Sequence, residues 1–499
     1  MKKIIYKIVL TVWLGFGLYG CTDLTPEFFD DVEAGNFLQD PSDYAAALIT
    51  PYQQLTDFSL WHWIILDNTS DALTIYTHQS GWNNDRHRRT DTHELRAADD
   101  KRFPLGGTVF DPIFNGIAES NGALEFLRNA EDQAIAAPFI AEARVLRAWY
   151  YLLGLDVYGG MPIVETAAPT PGNLPTRSSR PEVFQFVVSE LEAVIPDLPS
   201  KNDPNYPGFP RIGKETAQAI LAQTYLNGEV YTRTDFTQPG TGTTYWDECI
   251  DLCDAIIQSG NFSLHPNFFE IFDVNNEVAE SELLFYVDHE AGITGGGIGY
   301  PVWSLTNEWI NSWYPLAAIN AANGPAVEPA FYRYYLGNDK YQDDVRMNFD
   351  PATARGTFLP GVQFTPGGDT LKDAQGRVID HEIDFFLRPS DGPDDYEALY
   401  EGVRIIKWQP DENSDERFQG NGFGLIRYAD ILLMKAEATL RNAGATSLNG
   451  NIDESMTNGE ADALFNQVRS RVGASEISGV TLRDIYDERG RFLRIVPGH

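Results

Sequence analysis

Apolar residues recur at helical spacing in several long segments of the chain. In residues 138–162, one face of a predicted helix carries Val145, Trp149, Leu152 and Leu153. Glycines and a proline at the end of this segment, in the run "YGGMP", predict where the helix stops. A second helix is predicted after Pro181 and Glu182, which suit a first helical turn. Its stripe consists of Val183, Phe186, Val187, Leu191 and Val194.

Two further pairs of helical segments have a common design. "KETAQAILAQTYLNG" is followed by "YWDECIDLCDAIIQSGNF", and "RYADILLMKAEATLRNAG" is followed by "ALFNQVRSRVG". Small residues that permit close helix contact, followed by an aromatic residue, resemble degenerate tetratricopeptide units. Because the spacing between the pairs is irregular, the pattern predicts a mainly α-helical scaffold and not a regular solenoid.

Helical periodicity is interrupted in two places. Residues 64–107 are polar with scattered aromatic residues, and residues 283–425 are rich in Gly, Pro and aromatic residues, with short strand-like runs such as "LLFYV" and "VRIIKW". Long irregular segments inside a compact domain are usually functional, and binding residues are concentrated in such segments. We therefore expect the ligand-binding residues here.

The N-terminus has the pattern of an export signal. Lys2, Lys3 and Lys7 precede a 13-residue apolar run at 8–20, which is shorter than the roughly 20 residues needed to span a bilayer. Cys21 follows in "LYGCTDL", which resembles a bacterial lipobox and predicts acylation of this cysteine. The alternative is ordinary secretion with a leftover thiol. The acidic sequence that follows, to residue 40, is interpreted as a tether.

Composition narrows the ligand class. The chain has 37 Lys+Arg against 72 Asp+Glu, a net charge of −35, which disfavours nucleic acid and suits neutral or cationic ligands. Three cysteines in 499 residues do not make a disulfide scaffold, and Cys249 and Cys253 are predicted to be small core residues of one helix.

Catalytic and cofactor motifs are incomplete. Gly208, Gly213 and Lys214 are spaced as in a phosphate loop, but Glu215 stands where Ser or Thr must hold Mg²⁺, so we read a helix start. The acidic run from Asp411 lacks the Gly and the closing Glu of a calcium loop; it leaves open an opportunistic calcium site, with a solvated acidic loop as the alternative. No HExxH or GxSxG sequence occurs. We therefore predict no cofactor, no metal site and no catalytic residues, although no sequence rule tests for a pair of hydrolytic carboxylates.

Aromatic residues remain as candidate ligand contacts. Flat aromatic faces beside amide and carboxylate groups suit sugar rings. The candidates are Trp82, Tyr300, Trp303, Trp309, Trp313 and Tyr314. The alternative is that some form the core of a short helix, "TNEWINSWY", in which Trp309 and Trp313 are spaced i, i+4.

Several motifs occur together in a specific order. They are "AEARVLRAWYYLLGLDVYGGMPIVET", "SSRPEVFQFVVSELEAVIPDLP", "RIGKETAQAILAQTYL", "VRIIKWQPD", "LIRYADILLMKAEATLRNAG", "FNQVRSRVG" and "DERGR". Behind a signal and lipobox, this series resembles the SusD/RagB family of outer-membrane nutrient-binding lipoproteins, over essentially the whole mature chain.

The resemblance implies a fold, a role and a partner. It implies a helical fold with tetratricopeptide-like pairs and a ligand face built from loops. The implied role is non-catalytic capture of glycans, or in some members peptides, at the exterior of the outer membrane. The implied partner is a SusC-like TonB-dependent transporter, over which the lipoprotein acts as a hinged lid. By rough position, the ligand contacts match the segment containing Asp71, Tyr76, Trp82 and Asn83, and the cluster from Tyr300 to Tyr314.

The predicted organisation has five parts. They are a signal peptide at 1–20, a lipidated tether at 21–40, a helical region at 41–282, a loop-rich insertion with the ligand face at 283–425, and a C-terminal helix pair at 426–499. The resemblance stops at Arg491, and we interpret the ending "FLRIVPGH" as a truncation or frame change. A surface glycoside hydrolase and a solute-binding lipoprotein with two α/β lobes are the competing classes.

Overall fold

The structure is a computed structural model that describes most of the chain after residue 40. It describes residues 41–491 except 67, 76–85, 95–108, 169–171, 173, 236, 239, 290–302, 316–320, 342, 348, 386–396, 413–418 and 449–450. The predicted signal peptide, Cys21 and the tether lie outside the described residues.

Helices make up most of the regular structure. They are α1 (Pro41–Ala46), α2 (Ile49–Leu66), α3 (Arg86–Asp91), α4 (Phe110–Leu127), α5 (Gln133–Tyr158), α6 (Arg180–Val194), α7 (Lys214–Leu226), α8 (Gly228–Thr232), α9 (Trp246–Ser259), α10 (Asn307–Trp313), α11 (Pro329–Leu336), α12 (Tyr428–Asn442), α13 (Gly459–Ser470) and α14 (Leu482–Arg491).

The strands are short and pair two by two, always antiparallel. They are β1 (Leu73–Thr74), β2 (Leu283–Val287), β3 (Ala326–Val327), β4 (Phe358–Leu359), β5 (Gly361–Val362), β6 (Asp380–His381), β7 (Arg404–Ile405), β8 (Phe423–Arg427), β9 (Ser447–Leu448) and β10 (Asn451–Ile452). The pairs are β1 with β3, β2 with β8, β4 with β7, β5 with β6, and β9 with β10.

The long helices form a continuous series in which neighbours pack against each other. The order of contact is α2, α4, α5, α6, α7, α9, α12, α13. The series confirms the mainly α-helical fold with tetratricopeptide-like helix pairs. Among the described helices, none is long and apolar enough to cross a membrane.

Helix α5 is the centre of the apolar core. Trp149, Tyr150 and Tyr151 are fully buried, and the Trp149 ring meets Phe285 of β2 edge-on at 5.0 Å between centroids. This helix begins earlier than its predicted start at residue 138, because Asp132 caps it by accepting from the N–H groups of Ala134 and Ile135.

The pairing of β2 with β8 closes the base of the predicted insertion. Leu283 lies opposite Arg427 and Val287 opposite Phe423, so the chain leaves the helical series at β2 and returns to it at β8, directly before α12. The predicted strand-like runs "LLFYV" and "VRIIKW" correspond to β2 and β7. Within the insertion, Leu359 of β4 belongs to one small apolar cluster, and Phe358 of β4 and Ile405 of β7 belong to another, which also includes Leu73 of β1.

Candidate functional site

A two-residue ladder joins the two segments in which the sequence predicts ligand contacts. Leu73 of β1 lies opposite Val327 of β3, and Thr74 lies opposite Ala326. The Glu328 N–H continues the ladder by donating to the Ala72 carbonyl at 2.9 Å. The early irregular segment and the insertion are therefore in direct contact at this ladder, which we call the junction.

Carboxylates gather beside the junction. Burial raises the pKa of Asp91, at the end of α3, to about 6, against the opposing effects of Thr74 and His93. Burial, followed by the negative charges of Asp91 and Asp71, raises the pKa of Glu328 to about 7. Near neutral pH, Glu328 can therefore hold a proton and donate it in a hydrogen bond. Among the described residues, the Glu328 Oε1 atom has no hydrogen-bond partner.

Four aromatic rings pack together around α10 in the insertion. Trp309 and Trp313 stack at 5.6 Å with an interplanar angle of 17°, and Phe349 meets Trp313 edge-on at 5.4 Å. Tyr314 lies 5.9 Å from Trp309. Thr306 begins the helix by accepting from the Trp309 N–H. The helix cap and the stacking hold the two indoles in one orientation.

The two tryptophans of α10 differ in what they can contact. Trp309 is fully buried in the core of the insertion, so the core alternative holds for it, and its assignment as a direct ligand contact is corrected. Trp313 is only half-buried, and its indole N–H donates to the Phe364 carbonyl at 3.0 Å. Trp313 is therefore a rigid, partly exposed aromatic surface with a buried indole beneath it.

The remaining candidates divide between packing positions, the surface and undescribed segments. Tyr314 is half-buried and donates its hydroxyl to Gln409, and burial raises the pKa of this phenol. Trp303 is half-buried between the main core and the core of the insertion. Asp71 is exposed next to the junction. Tyr76, Trp82, Asn83 and Tyr300 lie outside the described residues.

The two helix cysteines and the incomplete phosphate-loop motif have structural roles. Cys249 and Cys253 are buried free thiols of α9, as predicted. Gly213 is the residue before α7, so the phosphate-loop look-alike is a helix start, and the Glu215 carboxylate is buried against Ser200 and Lys201. Among the described residues, no three His, Cys, Asp or Glu side chains group as metal ligands. The calcium site remains a prediction, since residues 413–418 are not described.

Glu328 and Asp91 are the site residues that sequence reasoning missed. Glu328 precedes Pro329 at the start of α11, and Asp91 ends α3, so each on its own reads as an ordinary acidic residue near a helix end. Their proximity depends on a ladder between residues about 250 positions apart, and no local pattern reports such a pairing.

Two protein-family models match separate parts of the chain. The model described as "SusD family" matches residues 334–491, and the one described as "Starch-binding associating with outer membrane" matches residues 60–226. The first range includes the C-terminal helices and the "DERGR" motif, and the second includes α4 to α7.

Curated relatives have the same family name. "Starch-binding protein SusD" of Bacteroides thetaiotaomicron is 22% identical over 378 residues, which are 70% of this chain and 61% of that protein. "SusD-like protein P2" of Formosa agariphila is 25% identical over 310 residues, which are 60% of this chain and 55% of that protein. The matched part of the chain thus spans less than two thirds of these relatives.

Solved structures share the fold over most of the chain. A "Laminarin binding SusD-like protein" superposes with a TM-score of 0.67 at 17% identity, covering 91% of this chain and 88% of that one. "Surface glycan-binding protein A from Bacteroides thetaiotaomicron in complex with laminarihexaose" has a TM-score of 0.62 at 17% identity, covering 90% and 86%. These structures show the shared fold, and the two family models, which together match residues 60–226 and 334–491, show that the chain belongs to the SusD family.

Proposed function

We propose that this protein binds glycans at the cell surface and delivers them to a partner TonB-dependent outer-membrane transporter, without catalysing a reaction on them. Relatives named for starch binding and for glycan binding support this role, and one neighbour is a complex with laminarihexaose. Anchoring through acylated Cys21 would hold the protein at the outer membrane, facing the exterior, and the description of the second family model supports that location.

The observation that carries the proposal is the aromatic platform on α10. Trp313 presents part of its indole while Trp309 stacks beneath it and Phe349 supports its edge. Because the ring is already fixed by packing and by its hydrogen bond to Phe364, little side-chain entropy is lost when a sugar stacks on it. Such a platform suits the apolar face of a pyranose.

The junction adds the second half of the ligand face. It holds the early segment, which contains Trp82, against the insertion, which contains Trp313. We expect Asp71 and the other early-segment candidates, Tyr76, Trp82 and Asn83, to supply the polar and aromatic contacts that the platform lacks. Ligand specificity would then depend on both segments.

Affinity electrophoresis in gels containing starch, laminarin or xyloglucan tests the binding. We expect at least one polysaccharide to retard the full chain, and Trp313→Ala to weaken retention about two- to tenfold, since aromatic contacts contribute about 0.5–1.5 kcal/mol and each 1.4 kcal/mol is a factor of ten. Trp82→Ala should weaken retention without unfolding the protein. Tyr486→Ala is the matched control, because Tyr486 is an exposed aromatic residue on α14, outside the predicted ligand face.

The same experiment distinguishes the ligand classes. Unchanged mobility of the unmodified chain in every polysaccharide, together with retention by immobilised peptides, would replace the glycan by a peptide ligand. Equal loss in Trp313→Ala and Tyr486→Ala would remove α10 from the site.

Delivery requires an anchor and a transporter. Cys21→Ser should release the protein from the membrane fraction, and protease added to intact cells should degrade the wild-type protein if it faces outward. Co-purification of a TonB-dependent transporter with the anchored protein is the expected result. Its consistent absence after mild solubilisation would contradict the delivery part of the proposal alone.

A second candidate function is glycoside hydrolysis, which one observation favours. Glu328, with its pKa raised to about 7, stands near Asp91 and Asp71, and a protonated carboxylic acid near a carboxylate is what such hydrolysis requires. New reducing ends from a polysaccharide incubated with the protein, lost in Glu328→Gln, would favour the hydrolase. We expect no reducing ends from either protein.

A further inference from the structure

A cleft of about 730 Å³ lies on the helical series, at the carboxyl end of α5. Its volume is within the range typical of small-molecule sites. The chain leaves α5 through Gly159 and Gly160 and returns to α6 past Arg177, so the cleft lies between a helix end and the next helix start. Its lining includes Asp156, Tyr158, Arg177, Arg180 and Glu182. None of them belongs to the insertion or to the early segment.

Two oxygen atoms of the cleft are buried and have no hydrogen-bond partner in the part of the chain that the structure describes. Asp156 accepts a hydrogen bond from the Tyr231 hydroxyl through Oδ1, but its Oδ2 has no hydrogen-bond partner among the described residues. The Tyr158 hydroxyl also has none among them. Buried polar groups without partners are uncommon and costly, so a ligand hydroxyl that reaches them gains more than it would at a solvated surface.

The cationic groups around these atoms are held in place. Arg177 donates to the carbonyls of Gly160 at 2.7 Å and Tyr158 at 3.0 Å, which fixes the turn. The Arg180 guanidinium lies 5.9 Å from the centre of the Tyr231 ring. Burial raises the pKa of Asp156 to about 7, although the Tyr231 hydroxyl and the charge of Arg180 oppose that rise. The two arginines balance Asp156 and Glu182, so the cleft is close to neutral in a chain with a net charge of −35.

An aromatic wall extends from the cleft. The Tyr158 ring lies 6.1 Å from Phe110 and 6.2 Å from Phe114, and these two phenylalanines stack at 4.1 Å. Phe110, the first residue of α4, is 44% exposed. A flat apolar surface therefore adjoins a neutral cleft that contains both fixed donors and an unpaired acceptor.

We propose that this cleft is a second binding site, on the helical scaffold, for a neutral sugar. The pyranose ring packs against Phe110, and a pair of adjacent hydroxyls bridges Asp156 and the arginines, donating to the carboxylate and accepting from the guanidinium. The site rests on the proposed function only in that its ligand is a glycan. It would give one protein two points of attachment to a long polysaccharide, which raises retention through effective concentration.

Hydrogen–deuterium exchange of the full chain with maltotriose, laminaritriose or xylotriose tests the site. At pH 8, where the Asp156 carboxylate is ionised, we expect at least one of these sugars to protect peptides that cover 156–160 and 177–182. Phe110→Ala should raise the sugar concentration needed for half-maximal protection about three- to tenfold, as expected for one lost aromatic contact. Asp156→Asn keeps an acceptor for Tyr231. It should also raise this concentration, because an amide accepts less strongly than a carboxylate.

Leu174→Ala is the matched control, because Leu174 is 83% exposed in the loop between α5 and α6. It should leave the protection of these peptides unchanged. Protection confined to the insertion would overturn this inference and leave the proposed function standing. Protection of the cleft with none in the insertion, and no effect of Trp313→Ala on polysaccharide retention, would support the cleft and contradict the platform. No protection of the cleft by any of the three sugars also overturns the inference.

Discussion

The helical series and the insertion are stabilised in different ways. The helices share one large apolar core, within which residues 145–155 of α5 are all buried. The insertion has two-residue strands and small separate clusters, apart from the longer pair at its base. A buried ion cluster also attaches it to the helices: Glu488 of α14 pairs with Arg346 of the insertion at 2.7 Å and with Arg469 of α13 at 3.5 Å, all three fully buried.

The helical series also contains a buried ion cluster, but it joins two helices that already pack. Glu190 of α6 accepts from Arg144 and Arg147 of α5. Helix α14, in contrast, makes polar contacts with the insertion. Asp487 accepts from Tyr334 and Tyr341, and Asp484 pairs with Lys340. We infer that these buried charge pairs help to fix the position of the insertion relative to the helices, because removing one partner of a buried pair leaves the other charge uncompensated.

The largest expected effect comes from removing Glu488. Glu488→Ala removes one carboxylate from both buried guanidinium groups, Arg346 and Arg469, so we expect a loss of about 3–5 kcal/mol in unfolding free energy. Urea denaturation measures the loss, and hydrogen exchange should show the insertion opening before α5.

Glu454→Ala is the control for that variant. Glu454 pairs with Arg483 of α14, the helix that contains Glu488. Because Glu454 is largely exposed, we expect little change in unfolding free energy. If Glu488→Ala destabilised the helices and the insertion equally, α14 would be part of the scaffold and not a connection to the insertion.

A glycine pair tests how tightly the helical series is packed. A Cβ on Gly116 of α4 would lie 2.5 Å from ring atoms of the buried Tyr150, whereas on Gly122 of the same helix the nearest atom is the Ala167 Cβ at 3.9 Å. Gly116→Ala should destabilise the protein by about 1–3 kcal/mol through overpacking. Gly122→Ala should stabilise it by up to about 1 kcal/mol, since alanine favours a helix. Thermal and urea unfolding measure both, and a gain in stability from both would mean that α4 can move away from α5.

The helical part was readily predictable because its signal is local. The stripe of Val145, Trp149, Leu152 and Leu153 depends only on periodicity, and all four residues are buried. The start of α5 was missed, since Asp132 caps a helix that also contains Pro138. The i, i+4 spacing of Trp309 and Trp313 predicted a shared face, but their difference in exposure depends on where Phe349 and Phe364 lie in the fold.

The candidate site was less predictable because it is assembled from distant segments. The "DERGR" motif was useful for recognising the family, yet its role follows only from the contacts of Asp487 and Glu488 with residues about 150 positions earlier. The junction carboxylates acquire their properties from burial and from each other. The spacing of residues in the sequence gives neither the burial of a carboxyl group nor the charges around it.

The smallest expected effect is a pH dependence that has opposite signs in the two regions. The pKa of Glu328 is raised from 4.5 to about 7 when the junction is formed. Between pH 4.5 and pH 7, the formed junction therefore holds a proton that is released when the ladder opens. Raising the pH through this window therefore weakens the junction, and Asp91 acts in the same direction from 3.8 to about 6. At Glu190, burial alone would raise the pKa, but the hydrogen bonds and charges of Arg144 and Arg147 outweigh it and lower the pKa. The stability contributed by Glu190 is accordingly lost as the pH falls.

Protection factors of the junction amides, corrected for intrinsic exchange and compared with those of α5 and α6, measure this difference. In the wild type, protection of residues 72–74 and 326–328 should fall between about pH 5 and pH 8, with the unfolded carboxyls already ionised over that range. Glu328→Gln should flatten the curve, leaving only the shallower contribution of Asp91, and Glu190→Gln should not affect it. A curve as steep in Glu328→Gln as in the wild type would assign the pH dependence to another group and contradict the role of Glu328.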